Sequence, residues 1–70
     1  MYKINDIVKF RLDDSKEPGY AKVKLIKPTI KILSYQCWKV KVIEILKPSK
    51  LKKVKEGSVI ASVSERWFSK

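Results

Sequence analysis

The stretch CWKVKVIEIL, Cys37 to Leu46, alternates apolar and charged residues behind a tryptophan. A period of two is the signature of a half-buried β-strand. Trp38, Val40 and Val42 share one side of it; Cys37, Lys39, Lys41, Ile43 and Ile45 share the other. The phase blurs at Ile43-Glu44, where both faces carry apolar groups. A bulge or strong twist there would let one strand serve two sides of a barrel.

The same period recurs on the N-terminal side. In YAKVKLIK, Ala21, Val23 and Leu25 point one way, and Tyr20, Lys22, Lys24 and Ile26 the other. In DIVKFRL, Val8, Phe10 and Leu12 oppose Ile7, Lys9 and Arg11. Both read as strands, joined by the loop Asp13 to Gly19 with Pro18-Gly19 at its end. Pro28 cannot donate to a sheet ladder and marks a bend, a bulge or an edge. TIKIL is expected to form a short third strand after it.

Beyond Leu46 the period breaks in KPSKLKKVKEG. Either Ser49 caps one or two helical turns that end at Gly57, or the segment is a structured loop, since so short a helix is unstable alone. SVIASVS is the last clear strand, with Val59, Ala61 and Val63 expected on one face. SERWF reads as a single turn capped by Ser64, with Trp67 and Phe68 closing one end of the core.

The chain has 70 residues, enough for a single domain spanning 1–70. A domain of this size buries only about 60% of its unfolded surface. About five short strands and almost no helix predict an all-β fold, most economically a small antiparallel sheet bent into a barrel.

Here a family resemblance enters. INDIVKF followed by GYAKV resembles the opening of KOW and Tudor-type SH3-like barrels, in which a Gly-Asp-x-Val strand leads through a loop to a Gly-containing second strand. Asp6 and Val8 match the first element, Gly19 and Val23 the second. EGSVIASVSERWF is similar to the closing strand and turn of such barrels. The likeness covers roughly residues 4–27 and 56–68 and implies an SH3-like barrel with a short helical turn near the C-terminus. Asn5 stands where the family has glycine, and Ala21 stands near the position of its second glycine. Small Lys-rich archaeal chromatin barrels are alike in size and charge, though not in motif. A Tudor-type aromatic cage would draw on Tyr20, Tyr35, Trp38 and Trp67.

Charge points to the partner. Lys and Arg number 17 against 7 Asp and Glu, a formal +10, and every cation except Arg11 and Arg66 is lysine. Such a potential favours polyanions; a solvated face that keeps the protein soluble is the plainer alternative. Lys22 and Lys24 alternate on one strand and Lys39 and Lys41 on another. If those strands are neighbours, the four form one cationic patch, in spite of the repulsion between like charges across a sheet. Lys50, Lys52, Lys53 and Lys55 crowd the loop between Pro48 and Gly57. Lysine is a flexible point charge, poorly suited to bidentate reading of base edges. The expected function is therefore backbone-dominated, largely sequence-independent binding of DNA or RNA, with Tyr20 and Tyr35 as stacking candidates. The rival is a protein-interaction module, a small regulator, inhibitor or accessory subunit on an acidic protein. The acidic loop DDSKEP suits that rival better.

Enzymatic activity is not expected. Histidine is absent, no Gly-rich phosphate loop is present, and Asp13, Asp14 and Glu17 read as solvated turn residues. No cofactor, metal ligand set or small-molecule substrate is implied. Cys37 stands alone in an apolar run and reads as a small buried hydrophobe. The N-terminus has no signal-peptide core, no window is apolar enough for a spanning helix, and no amphipathic helix suits a membrane surface. A soluble cytoplasmic protein is expected.

Overall fold

The computed structural model describes residues 2–69. Five strands form one antiparallel sheet: β1 (Ile7–Arg11), β2 (Tyr20–Ile32), β3 (Tyr35–Lys47), β4 (Val59–Ser64) and β5 (Phe68–Ser69). Their order across the sheet is β4-β3-β2-β1-β5. One 3₁₀ turn, η1 (Glu65–Trp67), separates β4 from β5. Ser64 caps that turn as expected, its hydroxyl accepting from the Arg66 amide at 3.2 Å. The fold is all-β. The sheet is not closed, so a barrel in the strict sense is not formed by its hydrogen bonding.

Alternation explains the core. Val8, Phe10 and Leu12, then Ala21, Val23 and Leu25, then Trp38, Val40 and Val42 are all buried on one side of the sheet. Tyr2, Ile45, Val54, Ile60, Val63, Trp67 and Phe68 pack against them. The β2–β3 ladder slips register at several points, and at one of them Lys22 faces Glu44 while Val23 faces Val42, leaving Ile43 unpaired. That is the bulge the blurred phase implied. It swings Ile45 onto the core side, whereas Ile43 stays exposed.

Two strand readings need correction, and one open alternative is settled. TIKIL is not a separate strand: β2 runs on through Pro28, with register shifts on both sides of it, and the chain reverses at Leu33-Ser34. Those two residues have φ of 49° and 72°, the left-handed pair that a two-residue hairpin matching the strand twist requires. Of the two alternatives for the segment after Pro48, the structured loop is the one that forms. On β4, a register shift opposite Trp38–Val40 breaks the alternation: Ile60 and Val63 face the core, while Val59 and Ala61 are exposed.

The sheet is curled. Thr29 Oγ1 of β2 lies 2.8 Å from Ser62 Oγ of β4. Two strand spacings, about 9–10 Å, would separate these strands in a flat sheet.

The loop between β1 and β2 is anchored rather than solvated. Asp13, read as a turn residue, is 7% exposed. Its carboxylate accepts from the Ser15 hydroxyl and amide, the Gly19 amide and the Ser49 hydroxyl. Ser15 and Ser49, then the backbone amides, hold its carboxyl well below the usual carboxylate range, overcoming the opposite push of burial. Ser49 Oγ in turn accepts from the amides of Leu51 and Lys52 at 3.2 and 3.0 Å. One carboxylate thus ties together the two long loops of the molecule. Gly19 lets them meet: a Cβ there would lie 2.6–2.8 Å from the Ser49 and Lys47 backbone.

Candidate nucleic-acid interface

The side of the sheet facing away from the core carries the lysines. Lys24 stands directly opposite Lys41, and Lys27 opposite Lys39. On the other flank Lys9 stands opposite Lys22. The expectation that Lys22, Lys24, Lys39 and Lys41 lie on neighbouring strands therefore holds, and β2 and β3 bring them onto one face. Lys9 and Lys27 belong to the same set. They were passed over in the sequence because only the register shows what lies across from them.

One carboxylate enters this face. Glu44 stands opposite Lys22, their charged groups 3.7 Å apart and both side chains about half exposed. So exposed a pair contributes about 0–1 kcal/mol. The row Ile7–Lys24–Lys41–Val59 crosses four strands and is apolar at both ends. Ile7 and Val59 are 59% and 52% exposed.

The Lys50–Lys55 loop lies outside the strands, between β3 and β4. Lys50 reaches Glu17, 3.6 Å away. Lys52 lines a cleft with Phe10, Arg11, Asp14 and Trp67. Lys53 lines a neighbouring one with Leu12, Ile45 and Val54, and Lys55 is exposed.

Tyr20, half-buried, carries the Lys9 ammonium 4.3 Å above its ring. Tyr35 is 44% exposed at the start of β3. Trp38 is a core residue, 5% exposed, its indole N–H donating to Glu65 at 2.6 Å. It cannot join an aromatic cage with Tyr20, Tyr35 and Trp67. Trp67 is only half-buried, and both arginines lie over its ring, Arg11 at 5.7 Å and Arg66 at 5.4 Å. Two cations already on that ring disfavour a cationic guest. Cys37 is buried and unpaired.

Among the described residues no cluster of His, Cys, Asp and Glu is arranged to hold a metal ion, and no helix is long and apolar enough to cross a membrane. No family model, curated protein or solved structure matches this chain.

Proposed function

We propose that this chain is a small basic nucleic-acid-binding protein of the cytoplasm, built on an SH3-like sheet of the KOW and Tudor kind. In this reading it grips the sugar-phosphate backbone of DNA or RNA, is largely indifferent to sequence, and catalyses no reaction. The observation that carries it is the set of three lysine–lysine pairs, Lys9–Lys22, Lys24–Lys41 and Lys27–Lys39, on one face of one sheet. Like charges directly opposite across a ladder destabilise it. A small domain has little stability to give away, and a polyanion partner turns that repulsion into attraction. Lysine outnumbers arginine on this face, where Arg11 stands at the edge opposite Tyr20, and lysine suits phosphate contact, not base-edge reading.

A titration with duplex DNA, single-stranded DNA and RNA across salt concentrations tests the reading. Each lysine–phosphate contact contributes about −0.9 to the slope of log K against log salt on duplex DNA. If all the lysines of the three pairs engage, the slope approaches about −5. Absence of binding to any of the polymers at low salt overturns the proposal.

The second reading is docking on an acidic protein. Ile7 and Val59, exposed at the two ends of the Lys24–Lys41 row, favour it, because phosphates offer nothing to apolar side chains. A single stoichiometric protein retained after nuclease treatment would support it over nucleic acid.

A further inference from the structure

The cleft at Trp67 borders the lysine face at Tyr20, whose ring carries Lys9 on that side. It is open, about 360 Å³, and lined by Arg11, Tyr20, Arg66, Trp67 and Phe68, with Asp14 at its side. A second groove shares Arg66 and Trp67 and leads to Tyr35, Ile32 and Leu33. A track therefore runs from Tyr20 past Trp67 to Tyr35, with the same arginine bordering both halves. The only two arginines of the chain meet at this one half-exposed ring.

The two arginines are held differently. Arg11 donates to the Asp13 and Ser15 carbonyls at 2.8 and 3.0 Å and lies 3.7 Å from the Asp14 carboxylate. Its guanidinium is part of the loop anchor. Arg66 is exposed, and among the described residues its guanidinium makes no hydrogen bond or ion pair. It is the one that can leave the ring.

We infer that the Trp67 cleft is a stacking site for an unpaired base of single-stranded nucleic acid, with Arg66 taking the adjacent phosphate. The base displaces Arg66 from the indole and stacks in its place, and the freed guanidinium pairs with the phosphate of the same nucleotide. Tyr20 and Tyr35 lie on either side for the neighbouring bases. Stacking on aromatic rings is tolerant of base identity but requires bases that are not already paired. The site thus separates single strands from duplexes, which the lysine face alone does not do. Asp14 opposes it: its carboxylate, 83% exposed, faces any incoming phosphate. The inference deepens the nucleic-acid reading and rests on it.

The test compares a short oligodeoxythymidylate with a duplex of equal length. The buried Trp38 is shielded, so bound single strand should quench the fluorescence of Trp67 and shift its indole N–H resonance, and duplex should do neither. Arg66→Gln, at an exposed position, should weaken single-strand binding several-fold beyond its effect on duplex. Trp67→Leu should weaken it about 5- to 150-fold, the range spanned by loss of one base stack, and Asp14→Asn should tighten it. Lys24→Gln with Lys41→Gln should weaken both polymers alike. Equal loss on both polymers from Arg66→Gln, with an unmoved Trp67 resonance in the unmodified protein, overturns the stacking site and leaves the lysine-face reading standing. Failure to bind either polymer overturns both.

Discussion

Asp13 does more for this structure than its place in a polar loop suggests. It joins the β1–β2 loop to the loop after β3 through Ser15, Gly19 and Ser49. Its carboxyl is held below its ordinary range in the folded chain, so its contribution to stability is complete at neutral pH, above the unfolded value near 3.9. That contribution is lost as pH falls through the folded value. Acid unfolding followed by circular dichroism should therefore steepen below about pH 4, and Asp13→Asn should be less stable at neutral pH and lose less on acidification. An unchanged acid profile in that variant would refute the role. Gly19 is the matching constraint. Gly19→Ala forces a methyl group into backbone on two sides, and should cost about 1–3 kcal/mol in denaturant unfolding, the usual penalty of overpacking. Asp13-x-Ser15 has the spacing of a side chain that caps its own turn, and that local half of the anchor is legible in the sequence. Ser49 is far along the chain, and nothing near Asp13 announces it. Asn5 has φ of 74°, a conformation asparagine tolerates better than most residues.

At the scale of elements, the strands were legible because period two is a local property. The faces of β1, of β2 up to Leu25, and of β3 up to Val42 are as the alternation implies. Irregularity was harder. The bulge at Ile43 left a trace in the sequence because apolar residues appear on both faces, but the shift that exposes Ala61 on β4 left none. Proline at position 28 was a true sign of disturbed pairing, although the strand absorbs it and continues. The lysine pairs belong to this scale too. Replacing Lys24 by threonine removes its repulsion with Lys41 and places a β-branched residue on the strand. Lys24→Thr should stabilise the domain by about 0.2–1 kcal/mol while weakening nucleic-acid binding. Thermal unfolding and a binding titration on the same variant would check both signs. A variant that loses stability would show that the lysine stems contribute packing that outweighs their repulsion.

For the whole molecule, the formal +10 acts on stability and on binding in opposite senses. Self-repulsion destabilises a compact state of high net charge, and salt screens exposed charges beyond about 10 Å at 0.1 M. Added monovalent salt should raise the melting temperature of the free protein and lower its affinity for nucleic acid over the same range. If salt left the melting temperature unchanged, the lysine face would not be under the strain its pairing implies. What the sequence by itself determined is the all-β class, the three core faces, the capped turn at Ser64 and the chain's own excess of positive charge, because each depends on neighbours two or three positions away or on a sum over the chain. Tertiary structure alone decided that lysine stands against lysine, that Asp13 is buried between two loops, and that both arginines reach Trp67. Those facts depend on register and loop packing, set by long-range contacts that no local window of residues contains.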